Sequence, residues 1–514
     1  MKKFPIGVSN FRKIIQEDFL YVDKTHFVQK LFETGDYFFL SRPRRFGKTL
    51  LIDTLREAFE GNRELFKDLW LEDHWDWEKK HPVIHISFGG GLAWNREELD
   101  RAIWDSLKQN QERLGVFCTE TNGIAACFGE LIRNSSRQFG EKTVVLIDEY
   151  DKPILDNISN SVVASEIREG LKNLYSVVKV SDAHIRFVLL TGVSKFSKVS
   201  LFSGLNNLID ITLDAEFGAI CGYTESELQA AFVERLEDHS LDDIRQWYDG
   251  YNWLDERVYN PFSILNFFRT GEFRNYWFET GTPEFLVKRM LTKNYLFPRL
   301  ENLWATENLL GSFDLERIEV ETLLFQTGYL TIREKRRVGN MLSFRLDFPN
   351  LEVKMSFADT VSGYLVSQQS IYEMQKLELY DALERAEIPK IETVFRALFA
   401  AIPHDWYRKN NIADYEGYYA SIFYGYFAAL GLDVTAEDAS SHGRIDLTVK
   451  LGNRVFIFEF KVVDLDPTPG RALAQIRERG YEEKFRTEGV EIFLIGVEFD
   501  RSERNIVGFE WEKD

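Results

Sequence analysis

The sequence predicts an α/β fold, with a doubly wound parallel sheet in its N-terminal part and a second α/β domain near its C-terminus. The first sheet is predicted by three short apolar runs, Tyr37–Ser41, Val83–Phe88 and Thr143–Asp148, which alternate with helix-forming segments. The second domain is predicted by two alternating segments within 443–461, which flank the turn dipeptide Gly452-Asn453.

The first apolar run precedes a loop that is suited to hold phosphate. Residues 42–49 read RPRRFGKT and are followed by the helix-forming run LLIDTLREAFEG. Gly47 lets the backbone approach an anion, Lys48 can reach the β- and γ-phosphates, and Thr49 can bind magnesium. Taken alone, the GKT triplet could be only a helix start. The residues predicted to contact a nucleotide are Arg44, Arg45, Phe46, Gly47, Lys48, Thr49 and Leu50.

The general P-loop pattern has its first glycine at position 42, where this chain has Arg42. The three arginines of the loop, Arg42, Arg44 and Arg45, therefore have more than one interpretation. The first interpretation is that they contact phosphates in place of the missing backbone donors. The second is that they face an outside anion, and the third is that they are simply solvated charges.

A second apolar run, Thr143–Asp148, ends in two acids, as expected of a buried parallel strand that delivers carboxylates to its C-terminal edge. We expect Asp148 to hold magnesium and Glu149 to orient or deprotonate the attacking water. The run Phe187–Leu190 precedes Thr191. Thr191 is either a sensor of the γ-phosphate or an ordinary residue at the end of a strand.

The middle of the chain is predicted to contain a helical lid and a winged-helix region. Thr224 and Glu227 have capping-box spacing at the start of a helical stretch that reaches about Asn266. The runs LLFQTGYLTI, LSFRLDF and EVKMSF are predicted to form short antiparallel strands. We expect 335–337, with the sequence KRR, to lie in the connection between two of them, as a solvated hairpin tip or a phosphate contact.

The C-terminal hairpin places two acids opposite each other. Counting outward from its turn pairs Asp446 with Glu459 and Arg444 with Lys461. The opposite face carries only apolar residues, so burial should fix the register. These residues are Ile445, Leu447, Val449, Phe456, Phe458 and Phe460.

Two facing carboxylates repel, and a divalent cation removes that penalty. We therefore expect Asp446 and Glu459 to bind magnesium or manganese, with Lys461 beside them to orient water or stabilise charge on a phosphate. Two unrelated surface acids with a lysine counterion are the alternative. Upstream, Glu416 shares a stripe with apolar residues on the predicted helix from Tyr415 to Leu430, and a carboxylate in that position needs a partner.

Several segments together resemble a bacterial AAA-ATPase-like family with a C-terminal PD-(D/E)XK nuclease domain. Twelve residues separate Asp446 from Glu459-x-Lys461, which resembles the PD-(D/E)XK core except that Ile445 replaces the proline. The remaining segments are YVDKT (21–25), SRPRRFGKT (41–49), VVLIDEYDKP (144–153), TGVSKFSK (191–198), WYDGYNW (247–253) and VYNPFS (258–263).

The resemblance implies an AAA/ASCE-type P-loop NTPase fold with an arginine-rich P-loop, so that Arg42 is a feature of the lineage. It implies that Glu416 is a metal-site glutamate, and it relates Gln475 and Tyr481 to a helical Gln and Tyr of the RecB-like branch. Both could instead be helix-surface residues. The predicted domains are 1–220, an ATPase domain; 221–373, lid and winged helix; and 374–514, connector and nuclease-like domain.

The expected function is ATP binding and hydrolysis coupled to a Mg²⁺-dependent nuclease that acts on DNA or RNA. The alternative is a nucleotide-gated signalling or scaffold protein whose nuclease-like domain binds without cleaving; a third possibility is that only the ATPase works. Each of these interpretations is compatible with a homo-oligomer.

Composition limits the other classes of function. The 514 residues, 44% of them hydrophobic, can form roughly two to four packed domains. Neither a secretory core nor an uninterrupted apolar run of about 18 residues occurs, which favours a cytoplasmic protein with no membrane partner. Because the net charge is −19, contact with nucleic acid needs a local basic patch. The three cysteines lack CxxC spacing, which argues against a disulfide framework and a zinc site.

Overall fold

The computed structural model describes residues 2–119, 123–195, 207–277, 286–287, 290, 297–311, 319–366, 369–402, 416–440, 443–463, 470–500 and 504–514. The chain forms two compact units, the first Met1–Thr280 with Trp304–Asn350 and the second Gly281–Leu303 with Leu351–Asp514. The sequence-based boundaries after residues 220 and 373 stay predictions. Of the predicted features, Tyr415 and residues 196–198 of TGVSKFSK lie outside the described residues.

The first unit contains an α/β region, a helical region and a small sheet. Its α-helices are α1 (Phe11–Gln16), α2 (His26–Thr34), α3 (Lys48–Phe59), α4 (Arg96–Leu114), α5 (Ile124–Phe139), α6 (Lys152–Asp156), α7 (Ser161–Val180), α8 (Glu225–Ala231), α9 (Val233–Leu236), α10 (Leu241–Tyr248), α11 (Pro261–Thr270), α12 (Glu307–Leu310) and α13 (Val320–Thr327). Its strands are β1 (Tyr37–Ser41), β2 (Val83–Ser87), β3 (Thr143–Asp148), β4 (Ile185–Gly192), β5 (Ile209–Asp210), β6 (Tyr223–Thr224), β7 (Val258–Tyr259), β8 (Leu303–Thr306), β9 (Thr331–Val338) and β10 (Met341–Asp347).

The main sheet of the first unit is parallel throughout, with the order β2-β3-β4-β1-β5. The chain crosses from β1 to β2 in one direction and returns through β3 and β4 in the other. Right-handed crossovers then place α3 on one face and α4, α5 and α7 on the opposite face, and these last three helices pack against one another. The predicted α/β fold with a parallel sheet is confirmed.

The N-terminal segment is fastened to the helix that follows the phosphate-type loop. The backbone N–H of Phe11 donates to Asp53 on α3 at 2.7 Å, and Arg12 forms an ion pair with Glu57 at 2.7 Å. Asp53 and Glu57 lie one helical turn apart, so both contacts hold the same face of α3. They fix the N-terminal segment beside the middle and the C-terminal part of α3.

The helical region after the main sheet begins as predicted. Thr224 accepts a hydrogen bond from the backbone of Glu227, and the Glu227 carboxylate accepts one from the Thr224 N–H, which forms a capping box. The helices α8, α10 and α11 bury an aromatic cluster against which Phe4 and Ile6 of the N-terminal segment also pack. This contact is a second anchor for the start of the chain.

The small sheet has the order β8-β10-β9, and here two of the predicted strands are wrong. LLFQT belongs to α13, and EVKMSF belongs to a helix that begins at Leu351. Val353 and Phe357 are buried one helical turn apart, and a short apolar run cannot separate a helix from a strand by periodicity alone. LSFRLDF forms β10 as predicted, and the strand-forming residues of the first run are TI, at the start of β9.

The basic triplet KRR at 335–337 lies within β9 and not in the connection between strands. The turn is made by Gly339 and Asn340, because Val338 pairs directly with Met341. The Arg336 guanidinium lies 3.5 Å from the centre of the Trp304 ring. The prediction of a hairpin tip at this triplet is therefore wrong.

The second unit is a mixed sheet with helices. Its α-helices are α14 (Leu351–Leu365), α15 (Gln369–Arg385), α16 (Ile388–Ala401), α17 (Glu416–Ala429) and α18 (Arg471–Arg479), and its strands are β11 (Asp433–Ser440), β12 (Gly443–Leu451), β13 (Arg454–Val463), β14 (Glu491–Asp500) and β15 (Ile506–Lys513). The strand order is β11-β12-β13-β14-β15, in which β13 and β14 are parallel and the other neighbours are antiparallel.

The predicted register of the β12–β13 hairpin is confirmed where the two strands pair. Leu451 faces Arg454, and the ladder continues to Leu447 and Phe458. The predicted apolar face is fully buried, and Phe423 and Phe427 of α17 pack against Phe458. Ile445 is an exception to the predicted face, because it packs in the apolar cluster of Val455, Ile457 and Ile476 on the other side. Both faces of this hairpin are therefore buried.

The cysteines differ from the sequence-based expectation. Cys118 and Cys127 are joined by a disulfide, and Cys221 is a buried free thiol. Cys118 lies in the segment that runs back along α5 after α4, which brings it to the first turn of that helix. The spacing rule failed because this approach depends on the path of the chain and not on a local motif. Among the described residues, no helix has the length and apolar character that would let it cross a membrane.

Candidate functional site

The loop between β1 and α3 has the geometry of a phosphate cradle. Gly47 adopts a left-handed conformation with a φ of 96° and is the N-terminal cap of α3, where no side chain caps the free N–H groups. A side chain at this position would be strained. The first turn of α3, with Lys48 and Thr49, therefore presents backbone N–H groups that the cap residue does not pair, together with the positive end of the helix dipole.

The Lys48 ammonium is folded back onto its own loop. Its Nζ donates to the carbonyl oxygens of Arg42 and Pro43, each at 2.9 Å. Burial lowers the pKa of Lys48, and the carboxylates of Asp148 and Glu149 partly oppose that effect. The predicted lysine and the predicted acid pair therefore interact electrostatically across one site.

The two acids at the end of β3 differ in their surroundings. Asp148 is 1% exposed, and its Oδ1 accepts a hydrogen bond from the Thr191 hydroxyl at 2.7 Å. Glu149 has a φ of 53°, which turns the chain sharply at the edge of the sheet. Burial, together with the charge of Asp148, raises the pKa of Glu149.

A cavity of about 420 Å³ opens beside this loop. Its wall includes six predicted residues: Arg44, Arg45, Gly47, Lys48, Thr49 and Leu50. Glu149 and residues 7–9 of the N-terminal segment also line it. Phe46, Asp148 and Thr191 are buried behind the wall. A volume of this size lies within the range of small-ligand pockets.

In the second unit, Asp446 and Glu459 lie just beyond the last hydrogen-bonded pair of the hairpin. The Asp446 carboxylate accepts a hydrogen bond from the backbone N–H of Phe460 at 2.8 Å. Burial raises the pKa of Asp446, with an added contribution from Glu416. The hairpin therefore brings both predicted acids to the same end and the same face.

Glu459 is the most confined acid of this site, with 1% exposure. Its Oε1 accepts hydrogen bonds from Gln475 and from Lys461, the latter at 3.3 Å. Its Oε2 is buried and has no hydrogen-bond partner among the described residues. Burial and the nearby charge of Asp446 raise the pKa of Glu459 to about 7.

Lys461 joins the remaining predicted residues of the site. Its Nζ lies 3.3 Å from Glu459 and 3.6 Å from Glu416 on α17. Burial opposes the charge on Lys461, but Glu416, Glu459 and Asp446 outweigh it and raise its pKa. Glu416 also accepts a hydrogen bond from the Val462 N–H at 3.4 Å. Lys461 is therefore a cation at neutral pH.

The site offers the carboxylate oxygens that a hard divalent cation prefers, although each of its three acids already accepts a hydrogen bond from a protein group. Asp446 and Glu459 supply carboxylate oxygens, and Glu459 Oε2 is a buried acceptor for which the described part of the chain supplies no donor. Among the described residues, no three acidic, histidine or cysteine side chains are grouped closely enough to hold a cation as they stand. Binding would therefore need small movements of Glu416 or Asp446.

Comparisons with known proteins agree with the two kinds of domain that the sequence predicts. Residues 5–202 match a family described as Predicted AAA-ATPase, and residues 414–509 match the PD-(D/E)XK nuclease superfamily. A relative from Azotobacter chroococcum mcd 1, named "Uncharacterized protein in vnfD 5'region", is 53% identical over 509 residues, which are 99% of this chain and 98% of that protein. The chain belongs to the AAA-ATPase-like family. It carries a C-terminal domain of the PD-(D/E)XK nuclease superfamily.

The three arginines of the P-loop in this AAA-ATPase-like protein are not equivalent. Arg44 and Arg45 are exposed, and the Arg45 guanidinium lies 4.8 Å from the centre of the Phe262 ring. Arg42 is fully buried, and burial lowers its pKa to about 10, so it remains charged at neutral pH. The suggestion that Arg42 contacts phosphate or is a solvated charge is wrong, because its guanidinium points into the protein.

Phe46 also faces the protein interior. It is 1% exposed, and its ring packs edge to face against Tyr251 and Trp253, with centroid distances of 4.7 and 5.3 Å. Its side chain therefore anchors the P-loop, and only its backbone could meet a nucleotide.

Two buried acids near the sites were missed by the sequence analysis. Asp151 lines the cavity beside the P-loop and accepts hydrogen bonds from the backbone and the hydroxyl of Ser194, both at 2.6 Å. Glu498 on β14 neighbours Lys461 in the sheet and accepts a hydrogen bond from Ala472 at the start of α18 at 3.3 Å. Asp151 could have been found as the third acid of the DEYD run, whereas Glu498 has no local signal.

Proposed function

We propose that the N-terminal unit binds and hydrolyses ATP with Mg²⁺. The observation that carries this proposal is the common cavity of Lys48, Thr49 and Glu149 at the start of α3. Lys48 leaves the carbonyl oxygens of Arg42 and Pro43 and moves to the β- and γ-phosphates. The exposed Arg44 adds positive charge at the rim.

The acid pair has separate tasks in this proposal. Asp148 and Thr49 would hold Mg²⁺, which supplies charge neutralisation between the phosphate groups when bound. Glu149, whose pKa is raised by burial and by Asp148, accepts the proton of the attacking water. Thr191 keeps Asp148 in place through its hydroxyl and responds to the γ-phosphate through the same network.

The C-terminal unit is proposed to be a metal-dependent nuclease that acts on the phosphodiester bonds of DNA or RNA. Asp446, Glu459 and Glu416 would hold Mg²⁺ or Mn²⁺, which activates water and stabilises charge on the phosphate. Lys461 orients the water and neutralises the scissile phosphate. Gln475 holds Glu459 by its Oε1, so that Oε2 stays available.

One assay series tests both halves of the proposal. Cleavage of single- and double-stranded DNA and RNA is measured with and without ATP for the wild type, Lys48→Ala and Asp446→Ala. Asp446→Ala is expected to lose cleavage and keep ATP turnover, and Lys48→Ala is expected to lose ATP turnover. Loss of cleavage in Lys48→Ala as well would indicate that the two activities are coupled. Wild-type protein without cleavage in either metal would refute the nuclease proposal.

A second candidate is a nucleotide-gated scaffold or signalling protein, and one observation favours it. The acids of the C-terminal site are held by protein donors, and among the described residues no three potential ligands are grouped for a cation. Such a protein would bind nucleic acid or another partner in the nuclease-like domain without cutting. Unchanged nucleic-acid binding by Asp446→Ala, with no cleavage by the wild type, is the result expected of this candidate. A cytoplasmic location is part of either proposal.

A further inference from the structure

Arg42 occupies the position where the general P-loop pattern has a glycine, and its side chain points away from the nucleotide cavity. We propose that Arg42 is a positioning residue, a buried strut that holds the P-loop backbone in the form that binds nucleotide. The inference rests on the proposed ATP site and goes beyond it, because it assigns a task to the residue that departs from the general pattern.

The Arg42 guanidinium is held by main-chain carbonyl oxygens. It donates to Ser41 O at 2.9 Å, to Thr212 O at 3.0 Å and to Phe217 O at 3.0 Å, and more weakly to Gly218 O at 3.4 Å. Its flat face lies 4.2 Å from the centre of the Trp253 ring. The side chain therefore ties β1 to a segment about 170 residues later in the chain.

A fully buried cation without hydrogen bonds would be very costly. The described hydrogen bonds of this guanidinium all end on backbone oxygens, which can receive its planar, forked donors only in a narrow range of geometries. Each bond therefore fixes a piece of main chain. A lysine would keep the charge but could not reach the same set of oxygens at once.

The backbone of Arg42 contacts Lys48 and the end of β4. Its N–H donates to Gly192 O at 3.1 Å, directly after the β4 residue Thr191. Its carbonyl oxygen accepts a hydrogen bond from Lys48 Nζ at 2.9 Å. The strut therefore fixes both the oxygen on which Lys48 rests and the spacing between the P-loop and the end of β4.

The rest of the loop contacts other residues of the first unit. The Trp277 indole donates to Arg44 O at 3.0 Å. Gly328 lies so close to Pro43 that a Cβ there would come within 2.6 Å of its ring. Contacts with the rest of the first unit therefore determine the conformation of this loop. In a glycine-rich P-loop, the loop's own backbone determines that conformation.

This arrangement predicts an unusual result: restoring the glycine of the general pattern weakens nucleotide binding. In Arg42→Gly the loop loses its strut and gains backbone freedom. A loop that is competent for only part of the time lowers the apparent affinity by that fraction. We expect a loss of at least about tenfold in affinity, comparable to one hydrogen bond to a charged group.

The test measures the dissociation constant of Mg²⁺-ADP, by displacement of a fluorescent ADP analogue, for the wild type, Arg42→Gly and Arg42→Lys. Arg333→Gly is the matched control, because Arg333 in the same unit also donates to carbonyl oxygens, those of Phe348 at 2.7 Å and Pro349 at 2.9 Å. Unfolding midpoints without nucleotide are recorded for every variant, and binding is measured where all are folded by circular dichroism.

Both glycine variants are expected to lower the unfolding midpoint, but only Arg42→Gly is expected to lose affinity, with Arg42→Lys between it and the wild type. Wild-type affinity in Arg42→Gly, or an equal loss in Arg333→Gly, would overturn the inference. If Arg42→Gly does not fold, Arg42→Lys decides, and an affinity within about twofold of the wild type would overturn it. A wild type that binds no ADP would instead overturn the ATP site itself.

Discussion

Gln475 on α18 donates a side-chain hydrogen bond to Oε1 of Glu459 on β13. The helix that carries Gln475 packs closely against β14 at Gly496. A Cβ on Gly496 would lie 2.3 Å from the backbone nitrogen of Leu473 on that helix. Close packing of backbone on backbone therefore determines how far Gln475 reaches. Glu459 therefore has one oxygen that accepts from Gln475 and one that has no partner within the described ranges.

Replacement of Gln475 by alanine is expected to shift the pH dependence of cleavage. Donation from the amide favours the ionised form of Glu459, so its loss raises the pKa of Glu459 further above about 7. The rising limb of the pH–rate profile should move to higher pH, and the rate at pH 7 should fall by about tenfold. A profile of unchanged midpoint and lower height would contradict this role and indicate a purely structural effect.

Replacement of Glu459 by glutamine is expected to stabilise the metal-free protein at alkaline pH. Burial and the charge of Asp446 raise the pKa of Glu459 from its ordinary value of 4.5 to about 7. The folded state thus holds this proton more tightly than the unfolded chain, and stability is lost as the pH rises from about 4.5 through 7. Glutamine does not ionise, so the variant should gain up to about 3 kcal/mol at pH 8.

Urea unfolding of wild type and Glu459→Gln at pH 5 and pH 8 measures this effect, and the gain should shrink at pH 5. Glu437→Gln on β11 of the same sheet is the matched control. The side chain of Glu437 is 72% exposed, so this variant should show no such gain. An advantage that is the same at both pH values would show that charge burial is not its cause.

Removal of the P-loop lysine is expected to abolish stabilisation by nucleotide. A ligand at about 100 times its dissociation constant stabilises the folded state by about 2.7 kcal/mol. In the wild type, this gain should appear as a rise in unfolding temperature when ADP is added. Lys48→Ala should show no such rise, because it lacks the cation that contacts the phosphates. If the rise in unfolding temperature persists in Lys48→Ala, nucleotide binds elsewhere.

The disulfide between Cys118 and Cys127 can be counted in the denatured protein. Without reductant, the unfolded chain should titrate one thiol, that of Cys221, and with reductant it should titrate all three cysteines. The loop spans nine residues, so reduction should cost about 2–3 kcal/mol of stability. Cys118→Ser should titrate two thiols under both conditions. Three thiols in the unreduced wild type would contradict the pairing.

The positions of Asp446 and Glu459 on one hairpin could be predicted because the information that sets them is local. The turn at Gly452 and the alternation on both sides fix the register, and the register brings Asp446 and Glu459 together. The same holds for the P-loop residues from Gly47 to Thr49, which occupy one helix start. In both places the chemistry is encoded within a few residues.

The predictions that failed concern residues whose own sequence neighbourhood does not decide their structure. Arg42 was open to three interpretations because its partners, Thr212 and Phe217, lie about 170 residues away. The run at Glu352–Phe357 was assigned to a strand although it begins α14, because its apolar spacing fits both periods. Glu498 has no neighbour in sequence that marks it, and only the parallel pairing of β13 with β14 brings it next to Lys461.

The central claim is that Asp446 and Glu459 form a divalent-cation site. Calorimetric titration of Mn²⁺ into the full chain at pH 8, without nucleotide, tests it most directly when wild type and Asp446→Ala are compared. The wild type is expected to bind one more Mn²⁺ than the variant, with binding that weakens as the pH falls below about 7, because protons then compete at Glu459. Equal stoichiometry in the two proteins would contradict the claim.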